Sequence, residues 1–512
     1  MLSPSPQSDR PSPQQLLEWL CDPRSLEPLE PASLADADEV GVHAAWGRVA
    51  GRPVVCYAQN PSIAAGAVGV AEAEVIVRAL RHSRRAGVPL ICFLESAGAR
   101  LQQGVAALGG FGRIFFENVA LAGRSPQISV ITGVAAGGAS YSPALTDFVV
   151  MTSRASMFLT GPRIVKLALG EDVTPSALGG VKVHARNGVC DLVAVDDRDA
   201  ARLARDLLGY LPQNSAQPSP AAQAEDPTGS DPAGVLPPRS RSHYDVRELI
   251  VRIVDGGRFR EVSELWARNM VVGFARLEGR AVAVIANQAR YRGGIIDVEA
   301  SRKASKFIRT CDALHIPMLV LVDTPGFMPG SRQEAAGVIG HGAELLRAFA
   351  AARSPRVTVI VRKAFGGAFI TMNSKDLGAD ASFCWPQAEI GIMSAESAVE
   401  IIHARRLRAA RIADLPARLA RRYARDSLSL DIALRCGAID AVIDPAETRR
   451  RVVAALRLDS TTSTCWDPAM IARAPAEGVE RVAVAAAVRT PRRARAIGNN
   501  HSLSTAPEGT QL

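Results

Sequence analysis

The sequence predicts an α/β protein built from two copies of one largely parallel-sheet domain. Three observations carry that prediction. Short apolar strands alternate with longer stretches that are apolar at helical spacing, the βα order of a parallel sheet. Landmarks recur in order at nearly one spacing: Gly51 returns at Gly279 and Pro89 at Pro317, each 228 residues on, and Gly137 returns at Gly366, 229 residues on. A Pro/Ser/Gln/Asp-rich stretch from Leu211 to Ser240 parts the copies, and its composition cannot build a core. The expected division is a first domain at 1–212, an exposed linker at 213–240, a second domain at 241–480 and a basic, mobile tail at 481–512.

The elements follow in pairs. WGRVAGRPVVCYAQ reads as strand, turn and strand about Gly51, and FARLEGRAVAVIAN repeats it about Gly279. Residues 70–87 (VAEAEVIVRALRHSRRAG) read as a helix ending on Gly87, and 298–315 read as its counterpart. PLICFLESAGAR and PMLVLVDTPGF each open a buried strand at a proline. QISVITG leads into V-A-A-G-G-A-S-Y (134–141), and RVTVIVRK leads into K-A-F-G-G-A-F-I (363–370). NGVCDLV near Gly188 is echoed by CGAIDAV near Gly437.

Composition narrows the function classes. With 47% hydrophobic and 22% charged residues over 512 positions, the chain can bury a large core and is not disordered over most of its length. Apolar runs such as Val482 to Val488 fall short of the ~18–20 residues that span a membrane, and the Pro/Ser/Gln-rich start is no secretory signal. The cysteines (8 of them) are scattered without a C-x-x-C pair, which argues against a zinc ribbon or disulfide scaffold and fits a reducing cytoplasm. No His spacing suggests a metal site, and His341, in V-I-G-H-G-A-E-L-L, is kept only as a weak candidate. A net charge of +9 suggests an anionic partner. The tail arginines Arg489, Arg492, Arg493 and Arg495 have no interleaved aromatics, which speaks against nucleic acid.

The glycine pairs are the chemically informative feature. Each follows a buried strand and opens a helix, where the first N–H groups lack internal partners and the helix dipole is positive. Glycine has no Cβ, so a ligand oxygen can come close. Two such amides can form an oxyanion hole. The alternative is that the glycines only permit tight strand–helix packing; the same element in both copies favours the functional reading.

The ordered motifs S-A-G-A-R-L-Q-Q-G-V (96–105), P-Q-I-S-V-I-T-G-V-A-A-G-G-A-S-Y-S-P-A-L-T-D-F (126–148), D-T-P-G-F-M-P-G (323–330), R-K-A-F-G-G-A-F-I-T-M-N-S-K (362–375) and W-P-Q-A-E-I (385–390) resemble the carboxyltransferase (beta) subunits of biotin-dependent acyl-CoA carboxylases. That resemblance implies two tandem crotonase-like domains. It implies a hexamer with active sites between one chain's first domain and another's second. It also implies a partner (alpha) subunit bearing biotin carboxylase and the carboxybiotin carrier. The substrate would be an acyl-CoA, with no metal, nucleic acid or membrane involved. Loss of CO2 from carboxybiotin leaves a negative ureido oxygen and a base, and deprotonation of the acyl-CoA makes a second negative oxygen. Two holes are therefore wanted. By resemblance Gly137 and Gly138 face the thioester oxygen, while Gly367 and Ala368 face the biotin carbonyl. The duplication offset would instead match Gly138-Ala139 to Gly367-Ala368, so the first pair is open by one residue. Ile370 is either core or a wall of the acyl pocket, where an apolar residue implies acetyl-CoA first and propionyl-CoA close behind. Arg100 either holds CoA phosphates or is structural. Ala65, Ala97 and Gly340 depart from the family pattern of glycine, glycine and arginine. The same chemistry run backward, in a decarboxylase or transcarboxylase, and an inactive structural paralogue are the competing readings.

Overall fold

A computed structural model describes residues 10–29, 40–229, 231–238, 242–409 and 414–457. The expected tail at 481–512, His501 and Cys465 lie outside the described residues.

The chain opens with a helix, α1 (Pro13–Leu20), capped by the Ser12 hydroxyl accepting from the Gln15 N–H at 3.2 Å. Its Leu16, Leu17 and Leu20 are buried, so a segment read by composition as merely polar contributes to the core. The first sheet begins with a hairpin of β1 (Val42–Val49) and β2 (Arg52–Gln59). Its turn holds Ala50 and Gly51 at φ of 50° and 77°, the left-handed pair that a two-residue hairpin requires. Asp22 accepts from both turn amides, at 3.1 and 2.7 Å.

Helix α2 (Val70–Ala86) then crosses to β3 (Leu90–Ser96), and α3 (Val105–Leu121) to β4 (Gln127–Ala136). A short α4 (Gly138–Ala144) precedes β5 (Phe148–Thr152) and β6 (Ser156–Phe158). β7 (Leu192–Ala194) and α5 (Asp197–Tyr210) close the half. From β2 onward the strands pair in parallel, in the order β1-β2-β3-β4-β5-β7, with β6 also on β4 and a two-residue strand, Glu27–Pro28, at the outer edge of β1.

The second half repeats this. β8 (Arg260–Val262), β9 (Met270–Leu277) and β10 (Arg280–Asn287) are antiparallel, and the turn at Glu278 and Gly279 has φ of 49° and 73°. Asp255 accepts from both turn amides, at 3.1 and 2.7 Å, as Asp22 does in the first half. Helix α6 (Val298–Ala313), β11 (Met318–Thr324), α7 (Val338–Ala351), β12 (Arg356–Phe365) and α8 (Gly366–Thr371) follow. β13 (Ala381–Cys384), β14 (Glu389–Gly391) and β15 (Ala441–Val442) complete an eight-stranded sheet in the order β15-β13-β12-β11-β10-β9-β8, with β14 on β12.

The halves share a core. Phe274 lies 5.7 Å from Phe148, 5.9 Å from Tyr210 and 5.2 Å from Phe307, centroid to centroid. Burying such rings contributes about 1.5–3 kcal/mol each. Beside them Lys306 pairs with Asp191 at 2.8 Å, and the Ser263 hydroxyl donates to Asp191 at 2.8 Å. The segment after Leu211 is largely exposed, as its composition requires, yet it is tied down. Gln213 Nε2 donates to the Pro53 carbonyl at 2.6 Å, Asn214 Nδ2 to Gly87 at 2.8 Å, and the Ala222 N–H to Gly279 at 2.9 Å. It therefore runs from the first hairpin to the second as a strap.

Candidate active site

Both glycine pairs sit where the sequence reading puts them, at the end of the longest parallel strand of each sheet. β4 ends at Ala136 and β12 at Phe365, and the next residues, Gly137 and Gly366, both adopt φ of 59°. That left-handed bend turns the chain from strand to helix, and only glycine enters it without strain.

The amides then divide by their partners. The Gly137 N–H donates to the Phe158 carbonyl at 3.0 Å, which closes β6 onto β4. Gly137 is thus not a free donor, and its assignment to an oxyanion hole is corrected. Among the described residues, the N–H groups of Gly138 and Ala139 have no protein acceptor, and those of Gly367 and Ala368 have none either. They are the orphan amides of the first turns of α4 and α8. By backbone geometry Gly138-Ala139 corresponds to Gly367-Ala368, the register of the duplication offset. Ala139 and Ala368 are buried, while Gly138 is half-buried and Gly367 exposed. Each pair lies at the rim of its core, one residue anchored and one turned outward.

Local packing requires glycine at the first site and not at the second. A Cβ at Gly138 would lie 2.9–3.0 Å from the Phe111 ring, closer than packing allows. A Cβ at Gly367 would sit 3.9 Å from the Phe327 ring, an ordinary contact. Phe111 meets Phe115 at a tilt (5.8 Å between centroids), and Phe115 meets Tyr141, whose ring is half exposed, edge-on (5.9 Å). Sequence reasoning missed Phe111 and Phe327, because each meets its glycine only through the fold.

Other expected residues fall differently. Arg100 Nη2 binds Glu72 Oε1 at 2.5 Å and its Nε donates to the Ala67 carbonyl at 3.3 Å. Glu72 is almost fully buried and also accepts from the Gly69 N–H at 2.9 Å. Arg100 therefore braces the loop after β3 against the start of α2; of its two readings, the structural one has the contacts. Ile370 on α8 is 48% exposed, so it is not core in the single chain. His341 pairs with Glu344 at 3.0 Å on α7.

Two acids mark corresponding places near the ends of β3 and β11. Glu95 is held up by burial, opposed by the Arg10 and Arg154 guanidiniums, and Arg10 binds it directly. Asp323 is paired with Arg362, at 3.0 Å to Nε and 2.9 Å to Nη2, and both side chains are buried. In the first sheet Gly133 stands where the second has Arg362, and the Glu95 carboxylate fills the space a side chain there would need.

A doubled α/β fold with two parallel sheets, each ending in a free amide pair at matched strand ends, defines a crotonase-like protein. A carboxyl transferase domain model matches residues 19–469. The chain is 44% identical over 436 residues to the propionyl-CoA carboxylase beta chain of Saccharopolyspora erythraea, covering 82% of this chain and 80% of that one. It is 41% identical over 425 residues to the methylmalonyl-CoA carboxyltransferase 12S subunit of Propionibacterium freudenreichii subsp. shermanii, covering 82% and 81%. The solved transcarboxylase 12S structure, a hexamer assembly with methylmalonyl-coenzyme A and methylmalonic acid bound, superposes with a TM-score of 0.83 at 38% identity over 90% of this chain and 91% of that one. This chain belongs to the carboxyl transferase domain family.

Proposed function

We propose that this chain is the carboxyltransferase subunit of a biotin-dependent acyl-CoA carboxylase. It moves a carboxyl group from carboxybiotin, carried on a partner subunit, to propionyl-CoA or acetyl-CoA. The observation that carries the reading is the repeated pair of unsatisfied amides. Gly138 and Ala139 stabilise the oxygen of the acyl-CoA thioester as it becomes an enolate. Gly367 and Ala368 receive the carbonyl oxygen of the biotin ring. Losing one such donor costs about 2.7–4 kcal/mol of barrier stabilisation. When bound, carboxybiotin supplies the activated carboxyl group and, after releasing it, the base; no side chain of this subunit need take the proton.

The fit to biotin rests on Gly367, which is exposed and unhindered on the face where a ring carbonyl would arrive. Ile370, two residues past Ala368 and half exposed, lines the acyl pocket. An apolar wall there separates acetyl from propionyl by only about 1–3 kcal/mol, so both are used. The assembly is a cytoplasmic homo-hexamer with a biotin-bearing alpha subunit. Exposed Leu101, Val105, Phe116 and Tyr141 in the first half, and Ile392, Ile401 and Ile402 in the second, suit faces that meet other copies. Among the described residues, no helix is long and apolar enough to cross a membrane.

Reconstitution with the biotinylated partner, ATP, bicarbonate and a panel of acyl-CoA thioesters tests the reading. Malonyl- or methylmalonyl-CoA is the expected product. No product with a partner of proven competence overturns it. The reverse transfer, from methylmalonyl-CoA, is the second reading, favoured by the similarity to the 12S subunit. Faster carboxyl loss from methylmalonyl-CoA than its formation would select it.

A further inference from the structure

Each free amide pair is backed by a phenyl ring, and the two rings come from opposite elements. In the first half the ring is Phe111, on helix α3. In the second half it is Phe327, on the loop after β11.

The equivalent positions make this an exchange. α3 and α7 bury residues at the same spacing: Ala107, Ile114, Asn118 and Leu121 match Val338, Leu345, Phe349 and the capping Ala352. On that register Phe111 corresponds to Gly342. The loops are matched by isolated parallel bridges, Val68 with Ala99 and Ile296 with Phe327, so Phe327 corresponds to Ala99. The first half therefore has a ring on the helix and alanine on the loop; the second has glycine on the helix and a ring on the loop. Phe327 lies 3.2–3.3 Å from where a side chain at Gly342 would start, so the loop ring occupies the room the helix leaves.

We propose that Phe111 and Phe327 are positioning residues that act alike. Each seats the start of the helix whose amides face the reacting oxygen and keeps water from that side of the pair. This rests on the carboxyltransferase reading. A dry, fixed donor acts on developing charge more strongly than a solvated one. An added Cβ would come within 2.9 Å of Phe111 at Gly138 but only 3.9 Å of Phe327 at Gly367, which makes the acyl-CoA side the more constrained of the two.

The test uses the holoenzyme reconstituted with its biotinylated partner, ATP and bicarbonate, with kinetics in propionyl-CoA. Phe111→Ala should lower kcat at least tenfold while KM changes less than threefold. Moving the ring to the loop, in Phe111→Ala/Ala99→Phe, should recover at least half of that loss on a logarithmic scale. Should Phe111→Ala fail to assemble, Phe111→Leu decides by the same kcat criterion. A kcat within threefold of wild type in an assembled single variant overturns the proposal, as does a double variant no faster than the single. Absence of wild-type carboxylation would instead remove the carboxyltransferase reading, a separate outcome.

Discussion

The Gly137 N–H is bonded to the Phe158 carbonyl at 3.0 Å, and this one contact fixes which amides of the first glycine pair remain free. Adjacent glycines then have opposite requirements. At Gly137 a Cβ would meet nothing closer than 3.9 Å, but φ is 59°. At Gly138 the backbone is permissive and the space is taken by Phe111. Gly137→Ala should therefore lower stability by about 1–2 kcal/mol through backbone strain. Gly138→Ala should displace the donor and lower kcat by about 10²-fold or more. Urea unfolding and steady-state kinetics on both variants check this; the reverse pattern would contradict it.

Ala65 is held at φ 53°, where its counterpart Gly293 has φ 66°. Left-handed backbone costs an L-residue about 1–2 kcal/mol, and glycine returns about 0.5–1 of that as chain entropy. Ala65→Gly should stabilise the protein by about 0.5–1 kcal/mol. A lower unfolding midpoint for the variant would show that the alanine is not strained.

The Asp323–Arg362 pair is buried on both sides. Arg362→Met strands a buried carboxylate, which typically costs about 3–5 kcal/mol. Asp323→Asn together with Arg362→Met should recover part of that loss. Thermal unfolding of the single and double variants measures the coupling, and strictly additive losses would argue against it.

Burial pushes the Asp147 carboxyl up to about 6, against an ordinary 3.8, while the Gln127 N–H donates to it at 2.8 Å. An acid raised in the fold binds its proton longer there than in the unfolded chain. Its contribution is full below about pH 4 and is lost as pH rises through 6. Asp147→Asn, which does not titrate, should gain about 1–3 kcal/mol on the wild type between pH 4 and 7. Urea midpoints across that range test it; a constant difference would refute the assignment.

Ile370→Asp should shift preference away from acetyl-CoA. The readout is the ratio of kcat/KM for acetyl-CoA to that for propionyl-CoA, which should fall by about 10-fold or more, within the reach of one pocket contact. An unchanged ratio places Ile370 outside the pocket.

What was legible in the sequence was local or repeated. The hairpin glycines, the βα order and the glycine-rich helix starts each depend on a few adjacent residues, and duplication amplified them. What escaped depends on partners far along the chain. The acceptor of the Gly137 amide is Phe158, on a strand whose pairing the local sequence does not reveal. Arg100, in a loop, finds Glu72 on helix α2. The strap's anchors, Pro53 and Gly279, lie in both hairpins, so composition revealed its exposure and not its attachment. The short helix Pro13–Leu20 was hidden by the prolines and glutamines around its three leucines.

A structure of the assembled protein with a bound acyl-CoA thioester, solved well enough to place the carbonyl oxygen, tests the central claim most directly. The account predicts that oxygen about 2.7–3.1 Å from the amide nitrogens of Gly138 and Ala139, within the range of a working oxyanion donor. A thioester oxygen bound elsewhere, with both amides turned to water, would contradict it.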